Sequence, residues 1–354
     1  MKRISRLREK LSEIGVDGLL ITDELNIRYI TELDVSDAYM LVTVKKAYLL
    51  TDFRYYEIAA KSLSSDFEVA IPKAKLDFVK EIMSSDGLSS LGFEGKYISY
   101  DFYLSLSEKL GDIRLCDVKA LFSELRAIKS PDEIEKIQKA QDIADRAFSE
   151  LLKVLTPDMT EIDVACELEY LMRKRGSEGA AFQTIAVSGD ASSLPHGVPR
   201  PVRLKKGFLT MDFGAKCDGY CSDMTRTVVI GKADDEMRKL YGTVLKAQEA
   251  ALTYLADGRD PREADVVARR IIDAEYPGAF GHSLGHGVGL LVHETPSLSP
   301  SAKGGPLVAG NVVTVEPGIY LYGKCGCRIE DMVEILDSGI RNFTHSPKEL
   351  IEIL

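Results

Sequence analysis

The hydrophobic residues in the first third of the chain follow two alternating periods. Apolar side chains recur at helical spacing from Ile4 to Ile14 and stop at Gly15, which predicts an amphipathic helix with a glycine after its last turn. Short apolar runs and further amphipathic segments then alternate. They predict strands at 17–22, 39–44, 47–51, 68–71, 88–93 and 113–116, and helices at 53–61, 76–83 and 100–110. This alternation indicates an α/β layer with a largely covered sheet.

The alternation ends near Leu121, where we predict a hinge ahead of a helix-start signal. Ser130 and Pro131 suit the N-cap and the first position of a helix, and Glu133 completes a capping box. One face of the following segment stays apolar for about six turns. We therefore predict two domains, residues 1–120 and residues 121–354. The first contains no histidine, so we interpret it as a structural or substrate-covering domain.

The second domain combines helical and strand-like patterns, and one part of its pattern occurs twice. A helix is predicted after the N-cap Thr160, with further helices at 236–255 and 261–276 and strands at 184–188, 208–216, 220–230, 312–320 and 332–336. One predicted hairpin holds Asp212 and Asp223 on its two arms, and another holds Glu316 and Glu330. Two such hairpins facing each other would place these acids around one centre, so we predict a pseudo-twofold repeat.

The four acids Asp212, Asp223, Glu316 and Glu330 lie in apolar, strand-like segments. A buried carboxylate must be neutralised or paired with a cation, and here the acids outnumber the nearby bases. With His286 they form a mostly oxygen donor set whose negative charge balances two divalent ions. Such a set suits Mn, Co, Fe or Zn. The sequence therefore predicts a dinuclear metal hydrolase.

Four of the five histidines lie in motifs marked by glycine or proline in the second domain: His196, His282, His286 and His293. Glycines on both sides of His286 allow backbone and substrate to approach its ring closely. His196 lies between two prolines in a loop signature, which favours a position at the rim of a cleft. A lone histidine is more often a satisfied core residue, but the occurrence of four in such motifs favours a functional role. Arg328 shares a strand face with Glu330, where it would orient a ligand carboxylate or meet the substrate.

Composition narrows the class of protein. The chain has 354 residues, 45% apolar and 28% charged, which is ordinary usage for a soluble globular protein of two domains. The net charge of -10 and the lack of a basic stripe argue against a nucleic-acid partner. The charged start and the absence of a long apolar run argue against a secretory signal and a membrane partner, so we expect a cytoplasmic protein.

The six cysteines are expected to be free thiols in a reducing compartment. A zinc ion held by Cys217, Cys221, Cys325 and Cys327 is the alternative. The spacings within these pairs do not match a zinc ribbon, so ordinary hairpin cysteines are favoured.

The acids and His286, together with their flanks, closely resemble the pita-bread metallopeptidases of the Xaa-Pro dipeptidase (prolidase) and aminopeptidase P branch. The motifs that carry the resemblance are Gly219 to Thr227, Gly285 to Gly289, His293-Glu294 and Val315 to Tyr320. Leu125 to Pro131 resembles the interdomain segment of that family. The resemblance implies an N-terminal creatinase-type α/β domain, followed by a pita-bread catalytic domain with a pseudo-twofold β-sheet and flanking helices.

The resemblance also implies a role for each donor. Asp212 would bind one metal ion with both oxygens, Asp223 and Glu330 would bridge two ions, and His286 and Glu316 would complete the second site. Glu316 would also shuttle the proton of the attacking water. Two divalent ions per subunit are implied, with Mn or Co preferred over Zn or Fe, in a homodimer.

Five further residues would face the substrate according to the same resemblance. His196 and His293 would stabilise the carbonyl oxygen and the tetrahedral intermediate, while His282, Tyr320 and Arg328 would line the substrate side. The implied reaction is hydrolysis of the bond before proline, which is a tertiary amide without an N–H.

Two peptidase specificities remain open at this stage. The compact chain and short first domain favour Xaa-Pro dipeptides, whereas aminopeptidase P removes the N-terminal residue of longer Xaa-Pro peptides. Some prolidases carry an arginine that captures the dipeptide carboxylate, and segment 295–306 offers only Lys303. A creatinase-type amidinohydrolase, a methionine aminopeptidase and a non-catalytic binding module of the same fold are less favoured, because the ligand set and both domains are present.

Overall fold

The computed structural model describes residues 3–354, and its contacts divide the chain into two compact units after Leu125. The domain boundary predicted from the sequence lies between residues 120 and 121, and it stays a prediction. The predicted hinge contains a helix, α6, described below.

The first unit is built on a six-stranded sheet. Its elements in chain order are α1 (Arg3–Glu13), β1 (Gly18–Ile21), α2 (Glu24–Thr31), β2 (Tyr39–Thr43), β3 (Ala47–Leu50), α3 (Phe53–Ser62), β4 (Phe67–Ala70), α4 (Lys75–Ser85), β5 (Ser90–Phe93), α5 (Tyr100–Leu110) and β6 (Arg114–Asp117). Helix α6 (Leu121–Ala127) follows and contains the boundary after Leu125. The strand order is β4-β3-β2-β1-β5-β6, with β2 antiparallel to both neighbours and the other pairs parallel. The predicted α/β layer is therefore confirmed, and the sequence patterns missed only the short helices α2 and α6.

The second unit contains two helix pairs, each followed by antiparallel strands. The first half comprises α7 (Pro131–Val154), α8 (Glu161–Lys174), β7 (Gly179–Ala180), β8 (Ile185–Ser188), β9 (Gly207–Phe213), β10 (Ala215–Cys217), β11 (Tyr220–Cys221) and β12 (Met224–Ile230). The second half comprises α9 (Asp235–Tyr254), α10 (Pro261–Glu275), β13 (Gly285–Gly287), β14 (Glu294–Leu298), β15 (Val312–Val315), β16 (Gly318–Leu321), β17 (Cys325–Arg328), β18 (Asp331–Ile335) and β19 (Ile340–Asn342). The last strand, β20 (Glu352–Ile353), returns to the sheet of the first half and pairs parallel with β12.

The two halves repeat one topology, as predicted. Strands β8, β9 and β12 pair in that order in the first half, and β13, β15 and β18 do so in the second, all antiparallel. Each half inserts a small hairpin between its last two strands, β10-β11 in one and β16-β17 in the other. Each half also has its own apolar core, in which the helix pair packs on the strands. The pita-bread architecture expected from the resemblance is confirmed.

The predicted continuous strands at 208–216, 220–230 and 312–320 are wrong in one respect, because each is broken in the middle. At Gly214 an added Cβ would lie 1.9 Å from Ser222 O, so the two arms cross there too closely for any side chain. At Pro317 the ladder loses a donor, because proline has no N–H. The breaks fall beside Asp223 and Glu316, so they separate the sheet from the small hairpins at the positions of the predicted ligands.

The helix starts agree with their sequence signals. Asp163 Oδ2 accepts a hydrogen bond from Thr160 N at 2.8 Å, and Thr160 Oγ1 accepts one from Asp163 N at 3.1 Å. Ser130 N donates to Glu133 Oε2 at 3.0 Å. Within residues 3–354, no helix combines the length and apolar character needed to span a bilayer.

All six cysteines are free thiols. Within residues 3–354, a geometry suited to a metal ion is found at Asp223, His286 and Glu330 and not at the cysteines.

Candidate metal centre

The four predicted acids lie where the hairpins of the two halves break. Asp212 lies in β9 and Asp223 directly precedes β12, while Glu316 directly follows β15 and Glu330 directly precedes β18. The halves are joined at this point, since Glu330 N donates to the carbonyl oxygen of Thr225 at 3.2 Å. The repeat therefore brings residues more than 100 positions apart into one cluster.

His286 lies against this cluster from strand β13. Its Nε2 is 3.3 Å from Glu316 Oε1 and 3.6 Å from Asp223 Oδ2. Its Nδ1 is 3.1 Å from the carbonyl oxygen of Gly287, which fixes the ring when Nδ1 carries the proton and leaves Nε2 directed at the acids. Donor atoms of Asp223, His286 and Glu330 all lie within 4.8 Å of one another.

The charge of this cluster is poorly compensated by the protein. Burial, followed by the neighbouring carboxylates, raises the pKa of Asp223 and of Glu330 well above the ordinary value. Burial also raises the pKa of Asp212, and its Oδ1 is buried without a hydrogen-bond partner. Glu316 differs: burial opposes its ionisation, but the hydrogen bond from His286 lowers its pKa. A largely buried set of four carboxylates and one imidazole fits divalent cations such as Mn, Co, Fe or Zn.

Arg328 connects two of the acids. Its Nη2 donates to Asp212 Oδ2 at 2.6 Å, and its Nε donates to Thr225 Oγ1 at 2.9 Å. Thr225 Oγ1 in turn donates to Glu330 Oε2 at 2.7 Å. Of the two roles that the sequence left open for Arg328, these contacts favour orientation of the carboxylates. Sequence reasoning missed Thr225, although its place in the Asp-Met-Thr-Arg-Thr run two residues after Asp223 was a signal.

Tyr320 lies behind the cavity wall and links two wall residues. Its hydroxyl accepts a hydrogen bond from Arg328 Nη1 at 2.7 Å and is 2.9 Å from His282 Nε2. Burial raises the pKa of Tyr320 to about 12, so the hydroxyl stays protonated and available as a donor to His282.

A cavity of about 450 Å³ opens onto the cluster. Its wall includes His196, His282 and His293 as well as all five predicted ligands. The ring of His293 lies 4.1 Å from that of His286, centroid to centroid, and both His196 and His293 are exposed on the wall. Burial lowers the pKa of His282 and of His293, so both are neutral near pH 7. The structure thus brings nine of the ten predicted site residues to one cavity, with Tyr320 immediately behind it.

The loop that carries His293 is closed by a buried ion pair. Glu294 Oε1 accepts a hydrogen bond from Leu291 N at 2.9 Å, and Arg126 Nη2 donates to the same oxygen. The side chains of Arg126 and Glu294 are 7% and 5% exposed. Lys129 Nζ lies 3.7 Å from Glu294 Oε2, and burial lowers the pKa of Lys129.

Comparison with known proteins decides the family. Residues 135–337 match the model of metallopeptidase family M24, and residues 3–128 match the creatinase/prolidase N-terminal domain. The chain belongs to metallopeptidase family M24. It is a metal-dependent peptidase, which confirms the enzyme class inferred from the ligand set.

Several M24 relatives align over nearly their whole length. A peptidase of Bacillus subtilis (strain 168) without an assigned role is 42% identical, and the Xaa-Pro dipeptidase of Pyrococcus horikoshii is 36% identical, each over 99% of both chains. Among solved structures, the Xaa-Pro dipeptidase from Bacillus anthracis superposes with a TM-score of 0.95 at 39% identity over 99% of both chains. The X-Pro aminopeptidase from Thermotoga maritima superposes with a TM-score of 0.91 at 37% identity over 100% of both chains.

Proposed function

We propose that this M24 peptidase hydrolyses the peptide bond before proline in Xaa-Pro dipeptides, using two divalent ions held by Asp212, Asp223, His286, Glu316 and Glu330. The observation that carries the proposal is the convergence of these donors in one buried cluster beneath a 450 Å³ cavity. Relatives named Xaa-Pro dipeptidase, from two Pyrococcus species, are 36% identical over 99% of both chains. Their names support the substrate class.

The chemistry supplied by two bound divalent ions is the activation of a water molecule near neutral pH and the polarisation of the scissile carbonyl. The acids provide the charge that balances such a pair. Arg328 and Thr225 hold Asp212 and Glu330 in fixed orientations, because each of these carboxylates keeps at least one hydrogen bond from the protein.

Glu316 is suited to accept the proton of the attacking water. Its pKa lies below the ordinary value, so it is ionised near neutral pH, and it lines the cavity. We assign it the transfer of that proton to the leaving nitrogen of proline, which has no proton of its own in the peptide.

The histidines are suited to stabilise charge on the carbonyl oxygen. His293 lies beside His286, and His196 approaches the same cavity from the loop after β8. A neutral imidazole N–H donates a hydrogen bond to a developing oxyanion without adding charge to the ground state. His282, held by Tyr320, presents its ring to the substrate side of the wall. Apolar wall residues that would contact the proline ring are Phe182, Ile185, Val198 and Val292.

A second candidate, removal of the N-terminal residue from longer Xaa-Pro peptides, is favoured by one feature of the cavity. Among the described residues of its wall, Arg328 is the only lysine or arginine, and its side chain donates four hydrogen bonds to protein groups. It is therefore poorly placed to neutralise the carboxylate of a dipeptide. The structural similarity to an X-Pro aminopeptidase is in line with this candidate.

One experiment separates the two specificities. The purified protein, loaded with Mn or Co, is assayed on matched Ala-Pro and Ala-Pro-Ala peptides. A higher kcat/KM for the dipeptide supports the dipeptidase assignment, and equal or better cleavage of the tripeptide reverses it. No hydrolysis of either peptide would refute both.

We further propose Mn or Co as the bound ions, a homodimer as the assembly and the cytoplasm as the location. The oxygen-rich donor set supports the ions, and the six free thiols are in keeping with a reducing compartment. Metal analysis of the protein purified from its own cells and light scattering in solution test the first two.

A further inference from the structure

One buried carboxylate joins both ends of the loop that carries His196. Glu161 is the first residue of α8, and its side chain is 0% exposed. Its Oε1 accepts hydrogen bonds from Ser188 N at 2.8 Å, Ser188 Oγ at 2.9 Å and Arg200 Nη2 at 2.7 Å. Its Oε2 accepts from Arg200 N at 3.1 Å and from Arg200 Nε at 2.8 Å. Ser188 ends β8 and Arg200 closes the loop, so Glu161 fixes the two stems to each other.

The two sides of the loop have different anchors. Before His196, Ser192 Oγ accepts a hydrogen bond from the backbone of β17 at 2.9 Å, and the carbonyl oxygen of Pro195 accepts one from Arg328 Nη1 at 3.3 Å. After His196, the chain is tied down at Arg200, by the carboxylate of Glu161 and by a bond from Ile162 N to the carbonyl oxygen of Arg200 at 3.3 Å. The far side of the loop therefore depends on the start of α8.

We propose that Glu161, through its ion pair with Arg200, is a positioning residue that holds His196 at the cavity. The inference rests on the part that His196 plays in the proposed function. Glu161 touches neither the cavity nor the predicted metal ligands, so it acts only through the loop. Burial opposes ionisation of Glu161, but the hydrogen bonds from Arg200 and Ser188 outweigh burial and leave the pKa of Glu161 below the ordinary value. The Glu161 carboxylate is therefore charged at neutral pH, when it pairs with Arg200.

The other half of the repeat carries a similar device. His196 follows β8 and His293 follows β13, which are the first strands of the two three-stranded sets β8-β9-β12 and β13-β15-β18. The His293 loop is closed by Glu294, which binds Arg126. Each histidine loop is thus fastened by a buried glutamate paired with an arginine, although the two glutamates come from different elements. The recurrence supports a role in placing the histidines.

The test uses two variants and one matched control in the metal-loaded protein. Glu161→Gln turns one acceptor oxygen into an NH2 donor that faces N–H donors, and Arg200→Met removes the guanidinium from a half-exposed position. Asp163→Asn, in the same turn of α8, alters the capping box with Thr160 and touches no residue of the loop. Each of the three substitutions is made in the parent protein and in the His196→Ala variant. Amide hydrogen exchange, metal content and hydrolysis of an Xaa-Pro peptide are measured for every protein.

We expect Glu161→Gln and Arg200→Met to speed exchange of the amides of 189–200, to leave metal content unchanged and to lower kcat/KM about 10- to 100-fold. In the His196→Ala background, neither Glu161→Gln nor Arg200→Met should lower kcat/KM further. Asp163→Asn should leave amide exchange, metal content and kcat/KM unchanged. Unaltered loop exchange, or the same loss of kcat/KM with and without His196, would overturn the inference. If the parent hydrolyses no Xaa-Pro peptide, the proposed function fails and the catalytic part of the inference fails with it, whereas the exchange data still decide whether Glu161 anchors the loop.

Discussion

Arg226 and Asp331 form an ion pair buried within the second unit. Arg226 Nη2 lies 2.8 Å from Asp331 Oδ1, and the two side chains are 1% and 0% exposed. Arg226 Nη1 also donates to the carbonyl oxygens of Thr225 and Glu330, at 2.9 and 2.6 Å. The guanidinium therefore joins β12 of one half to β18 of the other directly beside the candidate metal centre.

We expect Asp331→Ala to destabilise the second unit by about 3–5 kcal/mol, because the substitution leaves Arg226 buried without its partner carboxylate. The cationic Lys348, whose Nζ is 2.7 Å from Asp331 Oδ2, would lose the same partner. Urea unfolding measures the change. The control is Lys239→Ala, which removes an exposed ion pair with Glu275 and should change the midpoint of unfolding little, because solvent screens such a pair. Equal effects of the two substitutions would contradict the assignment.

Asp223→Asn should abolish metal binding and turnover while the protein stays folded. Without metal, burial and then the neighbouring carboxylates raise the pKa of Asp223 and so favour its neutral form, which a neutral amide resembles. We therefore expect the metal-free variant to have a Tm equal to or above that of the metal-free parent. Added Mn should raise the Tm of the parent only. Thermal scans with and without Mn check this, and a Tm increase by Mn in the variant would rule Asp223 out as a ligand.

Thr225→Val should weaken Mn binding about 10- to 100-fold, because Glu330 and Arg328 lose the hydroxyl that joins them. Thr225→Ser keeps the hydroxyl and should retain most of the affinity. Titration calorimetry with Mn gives the affinities. The matched control is Thr243→Val, since the Thr243 hydroxyl donates to Lys239 O within helix α9. A loss of affinity in the control as large as in Thr225→Val would show that the effect is not local.

Glu94→Gln should remove a pH dependence from the stability of the first unit. Burial raises the pKa of Glu94 from its ordinary value to about 7, and the hydrogen bond from Asn26 opposes this rise. A carboxyl with a raised pKa in the folded state stabilises the fold fully below its unfolded pKa, and that contribution is lost as the pH rises through 7. The loss amounts to about 3 kcal/mol for a buried group.

Hydrogen exchange of strands β1 and β5 at pH 5 and pH 8 measures this dependence. The parent should lose stability between the two values relative to Glu94→Gln, in which the proton count at this position no longer changes. The exposed Asp101→Asn, on helix α5, serves as the control. Parallel pH profiles for parent and Glu94→Gln would contradict the prediction.

Several features of this protein were determined by its sequence alone. Period-two and period-3.6 patterns are local, so they identified most strands and helices of both units. The capping signals are equally local, and they predicted the start of α7 after Ser130 and the start of α8 after Thr160. The acids at 212, 223, 316 and 330 could be singled out because a charge in an apolar strand needs a cation.

Other features depended on which distant segments meet. The strand breaks beside Asp223 and Glu316 follow from close crossings such as that of Gly214 over Ser222, and no local pattern encodes such a crossing. Thr225 and Glu161 resemble ordinary polar residues in the sequence. Only the folded chain sets Thr225 between Arg328 and Glu330, and Glu161 between the stems of the His196 loop. Hydrogen bonds act over about 3 Å, so they are decided by tertiary contact and not by sequence spacing.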